Sequence, residues 1–213
     1  MIRVLIADDH RMVREGFTRI IERHSDMEVA GEAASVEELF RCLEERGDGE
    51  GDVLILDISM PGPGFLPTMD RLASEHRGLP VLVVSMHPEE EWAVRALEAG
   101  ADGYLSKKHG GEELAEAVRR LHGGSRYVSR DLADTLARRL GPGGGGPPHE
   151  ALSRREYEVL CLLGSGRMVK SAARELGIST KTVSTYRARI LEKMGLESTA
   201  DLIRYVVEHD LTF

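Results

Sequence analysis

The sequence predicts an α/β chain: a doubly wound, five-stranded parallel sheet followed by an all-α unit of four helices. Three observations predict it. Through the first 122 residues, short apolar runs alternate with amphipathic stretches, as strands and crossover helices do around a parallel sheet. Val53-Leu54-Ile55-Leu56 is apolar without interruption, the signature of a strand buried on both faces. The last 65 residues, from His149, show helical spacing only, with no strand pattern.

Taken in order, strands are expected near Ile2–Ala7, Val29–Gly31, Val53–Leu56, Val81–Val84 and Tyr104–Leu105. Between them, Val13/Phe17/Ile20/Ile21, Val36/Leu39/Phe40/Leu43, Trp92/Ala93/Ala96/Leu97 and Leu114/Val118/Leu121 repeat at helical spacing. Ser35-Val36-Glu37-Glu38 fits a capping box for the second helix. Pro61-Gly62-Pro63-Gly64 imposes a loop before a short helix around Phe65–Ala73. Leu132, Leu136 and Leu140 extend a helical stripe that stops at Gly141-Pro142-Gly143-Gly144-Gly145-Gly146-Pro147-Pro148, a run that reads as a linker. The expected organisation is therefore a first domain over 1–122, a connecting segment over 123–149 and a second domain over 150–213. In that second domain Ser153-Arg154-Arg155-Glu156 is a second capping box, opening a helix with Tyr157, Leu160, Cys161 and Leu163 on its apolar face. Gly164 and Gly166 break it. A helix with Val169, Ala172, Ala173 and Leu176 stops at Gly177. Ser179 or Thr180 then caps a helix through Val183, Ile190 and Met194, and Ser198 or Thr199 starts a last one with Leu202, Ile203 and Val206. Small Ala172 and Ala173 suit two helices crossing steeply over a short turn, so the segment reads as a helix-turn-helix.

Charge sharpens that division. The net charge is -8, but residues 149–213 hold 10 Lys/Arg against 9 Asp/Glu, and the remainder holds 18 against 27. Seven basic residues and two acids fall between Arg167 and Lys193, a composition suited to a polyanion. Cys42 and Cys161 are too few and too distant for a disulfide framework, and both are expected to be buried. No run reaches the length of a membrane span, and the apolar N-terminal run is too short for a signal peptide, so a cytoplasmic location is expected.

The chemistry is expected at the carboxyl edge of the sheet, where open α/β folds bind ligands. Strand one ends on Asp8 and Asp9, strand three on Asp57, strand four on Ser85, and strand five is followed by Lys107. Converging carboxylates repel unless a cation holds them, and oxygen ligands favour a hard ion such as Mg²⁺. Histidine is not expected in this site; His10 follows the acids on a loop or first turn, and His87 is remote. Acids, hydroxyl and lysine together suit phosphoryl transfer, with a carboxylate as acceptor and the cations offsetting charge on the transferring oxygens.

These motifs carry a resemblance. Asp8-Asp9, Asp57-Ile58-Ser59-Met60-Pro61, Ser85 and Gly103-Tyr104-Leu105-Ser106-Lys107 resemble the receiver domain of two-component response regulators, which has a flavodoxin-like fold. Leu152-Ser153-Arg154-Arg155-Glu156-Tyr157-Glu158-Val159-Leu160 and Leu176-Gly177-Ile178-Ser179-Thr180-Lys181-Thr182-Val183 resemble a LuxR/NarL-type DNA-binding domain. The resemblance implies that Asp57 accepts phosphate from a sensor histidine kinase. It implies that Asp8, Asp9, Asp57 and the backbone carbonyl of Ser59 organise Mg²⁺, that Ser85 and Lys107 engage the phosphoryl group, and that Tyr104 turns inward when Ser85 moves. It also implies a homodimer on promoter DNA. Within the recognition helix, Lys181, Thr182 and Thr185 are expected nearest base edges, with Ser184, Tyr186, Arg187, Arg189 and Lys193 on phosphates. Met86 and Tyr186 depart from the family pattern, which has a small residue and commonly His at these positions. An alternative function is a phosphorylation-independent regulator whose receiver serves dimerisation or ligand response. A Mg²⁺ phosphatase is a third, which leaves the helix-turn-helix unexplained.

Overall fold

The computed structural model describes residues 1–46, 52–86, 89–129, 132–133, 147–209 and 211. The Gly-rich run from Gly141 to Gly146, Leu136, Leu140 and His87 lie outside the described residues. The chain forms two compact units, Met1–Ala137 and Arg138–Phe213.

In the first unit, strands β1 (Ile2–Ala7), β2 (Met27–Ala33), β3 (Asp52–Asp57), β4 (Val81–Ser85) and β5 (Gly103–Ser106) form one parallel sheet in the order β2-β1-β3-β4-β5. They alternate with helices α1 (Arg11–Glu22), α2 (Val36–Arg46), α3 (Phe65–Glu75), α4 (Glu89–Glu98) and α5 (Gly111–His122). The apolar runs dictate this layering. Val4, Ile6, Val53, Ile55, Leu82 and Val84 pack with Leu114, Val118 and Leu121 of α5 into one core, while Leu54 and Leu56 are buried as well. Each such aliphatic side chain contributes about 1.5–3 kcal/mol on burial. Register then aligns the strand ends: Ala7 lies opposite Leu56, Asp57 opposite Val84, and Ser85 opposite Ser106. The acids and hydroxyl of the motif therefore leave the core at one edge.

Strand β2 is longer than the expected Val29–Gly31: at the sheet edge, exposed Glu28 and Glu32 flank the half-buried Val29–Gly31 and join it to buried Met27 and Ala33. The capping box of α2 forms with a shift: the Glu38 amide donates to the Ser35 hydroxyl (3.2 Å), but the Glu38 carboxylate accepts from Ala34 (2.8 Å) rather than Ser35. Beyond α5, the chain turns back onto β5. The Tyr127 amide donates to Asp102 O (3.0 Å), Tyr104 donates to Tyr127 O (3.2 Å), and Gly103 and Tyr127 form a parallel bridge. Only glycine fits there, since a Cβ on Gly103 would stand 2.9 Å from Tyr127 O. Cys42 is half-buried, not buried as expected; its sulfur sits at the α2 surface, 3.7 Å from Glu32 O.

The second unit has a short 3-10 turn (Pro148–Ala151) and helices α6 (Arg154–Gly164), α7 (Val169–Glu175), α8 (Thr180–Met194) and α9 (Thr199–Glu208). Ser153 and Glu156 form a reciprocal capping box on α6, Ser179 caps α8, and Ser198 with Asp201 caps α9. Helix α8 ends at Gly195, whose φ of 65° is the left-handed conformation a helix stop requires. Tyr157, Leu160, Cys161, Ala172, Val183, Ile190, Leu202 and Val206 are all buried. Helix α6 stops where the sequence suggested: the buried Gly164 is its last residue, and Gly166 (φ 81°) makes the turn that follows. Among the described residues, no helix is long and apolar enough to cross a membrane.

Candidate functional site

Asp8 and Asp57 leave their strands buried, with Asp57 only 4% exposed, and Asp9 is partly open to solvent. The Lys107 ammonium joins the two buried acids, 2.6 Å from Asp8 Oδ2 and 3.0 Å from Asp57 Oδ1. Lys107 is held in turn, because its amide donates to Ser85 O (2.8 Å) across the β4–β5 edge. Burial pushes the Asp57 carboxyl above the usual carboxylate range. The Asp8 and Asp9 charges push it the same way, while Lys107 opposes them. Ser85 is buried at the end of β4, one residue beyond the partner of Asp57. Tyr104 is fully enclosed on β5, so its ring already points inward. Ser59 is half-buried in the turn after β3. Met86 is 61% exposed, so its bulk is turned largely to water.

The structure adds a residue that sequence reasoning set aside. His10 caps α1 through its backbone, and its ring Nδ1 lies 2.6 Å from Asp9 Oδ1 and 3.5 Å from Asp8 Oδ1. One ligand atom each from Asp8, Asp9, His10 and Asp57 lie within 4.8 Å of one another. Three carboxylates face one ammonium, so a divalent cation would balance the site. The donor chemistry fits one that prefers oxygen.

On α8, Lys181, Ser184, Thr185 and Arg189 are exposed and fall on one face with Ala188 and Glu192, at helical spacing. Ala188 carries no polar signal, and only its place on this face singles it out. Thr182, Tyr186 and Arg187 are half-buried. The Ser184 and Thr185 hydroxyls donate back to the carbonyls of Thr180 (2.9 Å) and Lys181 (3.0 Å). Two expected phosphate contacts have partners inside the unit: Arg187 Nε donates to Thr199 Oγ1 (2.6 Å), and Lys193 Nζ to Glu156 Oε2 (2.7 Å).

Burial raises the Glu156 carboxyl, but Lys193 and the Ser153 amide and hydroxyl outweigh it and hold the group below its ordinary value of 4.5. A depressed acid stabilises the fold fully above its unfolded value and ceases to as pH falls through the folded one. Glu156→Gln is therefore expected to cost about 1 kcal/mol at pH 7. In thermal melts followed by circular dichroism, the gap to wild type should close below about pH 4.5. A gap that stays constant down to pH 3 would show the ion pair to be irrelevant.

A doubly wound sheet with an acid–lysine edge, carried on one chain with a helix-turn-helix unit, defines a signal-responsive DNA-binding regulator. The family model for the response regulator receiver domain matches residues 4–119, and that for the bacterial regulatory proteins of the luxR family matches residues 150–206. The chain belongs to the response regulators with a LuxR-type DNA-binding domain, which control transcription. It is 35% identical over 212 residues to response regulator GacA of Pseudomonas aeruginosa, covering 99% of this chain and 98% of that one. It is 32% identical to response regulator UvrY of Escherichia coli (strain K12), covering 99% and 96%. Among solved structures it is similar to RcsB from Salmonella enterica serovar Typhimurium bound to promoter rprA in the presence of phosphomimetic BeF3-. That likeness has a TM-score of 0.77 and 26% identity, over 97% of this chain and 99% of that one. Response regulator ChrA, of a heme-sensing two-component system, aligns with a TM-score of 0.53 at 30% identity, over 99% and 98%.

Proposed function

We propose that Asp57 accepts a phosphoryl group from a sensor histidine kinase and that this switches a homodimer onto promoter DNA. The observation that carries the reading is the buried Asp57 carboxylate at a strand end, with the Lys107 ammonium 3.0 Å away and Ser85 beside it. As the Asp57 oxygen bonds to phosphorus, the P–N bond of the phosphohistidine breaks. Lys107 stands where it can exchange a carboxylate for a phosphoryl oxygen, and Ser85 supplies a hydroxyl donor. Mg²⁺ held by Asp8, Asp9, Asp57 and the Ser59 carbonyl would offset the charge on the transferring oxygens. Tyr104 is already enclosed, so in this reading phosphorylation stabilises the inward arrangement rather than creating it.

For the second unit, Lys181, Thr182 and Thr185 read base edges, and Ser184, Tyr186, Arg187, Arg189 and Lys193 hold phosphates. Arg187 and Lys193 must first exchange Thr199 and Glu156 for DNA. Residues 1–122 are the phosphoacceptor domain in this reading, 123–149 the connector and 150–213 the DNA-binding domain. The chain acts in the cytoplasm as a regulator, not as an enzyme turning over an external substrate. RcsB, seen on promoter DNA with a phosphomimetic, supports the pairing of the two functions.

The test treats the wild type and Asp57→Ala with acetyl phosphate and Mg²⁺, following label on a Phos-tag gel, oligomeric state and promoter affinity. Wild type should be labelled, shift towards dimer and bind DNA more tightly, and the variant should do none of these. Equal dimerisation and DNA binding by both proteins without label would remove Asp57 as the control point.

A further inference from the structure

We propose that His10 supplies a nitrogen ligand to the cation at the acidic edge. The site would then be a mixed nitrogen–oxygen one that discriminates in favour of Mn²⁺ and similar borderline cations. This rests on the reading of that edge as a cation-assisted phosphoacceptor site.

The backbone fixes where the ring can go. The His10 amide donates to Asp8 Oδ1 (2.8 Å), and His10 O accepts from Val13 (3.0 Å) and Arg14 (3.1 Å) in the first turn of α1. Its Cα is thus tied both to the acid pair and to the helix, and the side chain turns back over the acids. Nδ1, not the far edge of the ring, is the atom that meets Asp9 and Asp8. The ring makes no capping bond to α1; the Asp9 carboxylate holds it, with Oδ1 2.6 Å from Nδ1, a contact the ring would exchange for the cation. Its side chain is 66% exposed, so the imidazole can adjust without leaving a cavity.

One atom from each of the four side chains falls within a 4.8 Å sphere of separations, and ligands on opposite sides of one ion stand on the order of 4 Å apart. A neutral imidazole carries one proton, so Nδ1 can turn its lone pair to a cation by moving the proton to Nε2. Mg²⁺ prefers oxygen throughout its shell, whereas imidazole nitrogen suits later first-row cations. An imidazole at this position therefore strengthens Mn²⁺ binding while adding little for Mg²⁺.

The test loads the full-length protein with Mn²⁺ and records electron spin echo envelope modulation, alongside calorimetric titrations with Mn²⁺ and with Mg²⁺. Wild type should show the ¹⁴N coupling of a directly bound imidazole, and His10→Ala should lose it. That variant should bind Mn²⁺ at least about tenfold more weakly, with Mg²⁺ affinity changed less than about twofold. Bound Mn²⁺ without nitrogen coupling in the wild type, or coupling that persists in His10→Ala, would overturn the nitrogen ligand and leave the phosphoacceptor reading standing. An unchanged Mn²⁺/Mg²⁺ ratio would do the same. Wild type that binds neither cation would overturn both. The wild-type spectrum needs no variant, so a folding defect cannot hide the answer.

Discussion

Lys107→Ala should destabilise the first unit by about 3–5 kcal/mol, the usual cost of leaving a buried charge without its partner. Its ammonium is the shared counter-charge of Asp8 and Asp57, at 2.6 and 3.0 Å, and all three side chains are nearly closed to solvent. Without it, two carboxylates face each other in a low-dielectric pocket. Asp57→Asn in the same chain removes one of them and should recover about half the loss, so the two substitutions are strongly non-additive. Urea unfolding in buffer free of divalent ions, on the four proteins of this cycle, measures both effects. Adding Mg²⁺ should stabilise Lys107→Ala more than wild type, because the ion then takes the place of the missing ammonium between the two acids. A loss under about 1 kcal/mol, or strict additivity with Asp57→Asn, would mean that the lysine does not hold the acids together.

Gly164→Ala is the second large effect, and it lies in the DNA-binding unit. A Cβ there would meet Val206 Cγ1 and Cγ2 at 2.5 Å and its Cβ at 2.6 Å. Val206 is β-branched and anchored on α9, so it cannot swing aside, and α6 and α9 must separate. Overpacking of this kind costs about 1–3 kcal/mol, occasionally more. Alanine regains roughly 1 kcal/mol of helix propensity over glycine. A net loss of about 1 kcal/mol, rising to about 2 at the upper end, is expected from these two terms. Val206→Gly removes all three clashing carbons, so the double variant should be more stable than the sum of the single losses by at least about 1 kcal/mol. Chemical denaturation monitored by circular dichroism tests this, and a Gly164→Ala protein as stable as wild type would refute the close approach.

The sequence made the sheet legible wherever burial is complete. Strand β1 runs from Ile2 to Ala7 as expected, and β3 and β4 extend the expected runs by only a residue or two, because both their faces are apolar. β2 was harder to read because an edge strand carries polar residues that dilute its pattern. Asp8, Asp9, Asp57, Ser85 and Lys107 were legible as neighbours, since strand ends in a parallel sheet share an edge. His10 was not. Its ring direction is set by hydrogen bonds at the start of α1, which spacing does not encode. Gly164 was legible as a helix end but not as a close contact, because its partner, Val206, stands 42 positions away and leaves no local trace. Arg187 and Lys193 looked free to meet phosphate for the same reason: Thr199 and Glu156 come from other parts of the chain.

The return of Tyr127 to β5 bears on where this protein can be cut. β5 is the outermost strand of its side of the sheet, and an uncovered outer strand is a template for pairing with another chain. Tyr127 takes up the Tyr104 amide and the Asp102 carbonyl that would otherwise present that template. A fragment ending at His122 keeps β1–β5 and α1–α5 yet leaves this rim bare, and would be prone to stick to its own kind. Carried on through Ser129, the same fragment brings its own guard against aggregation.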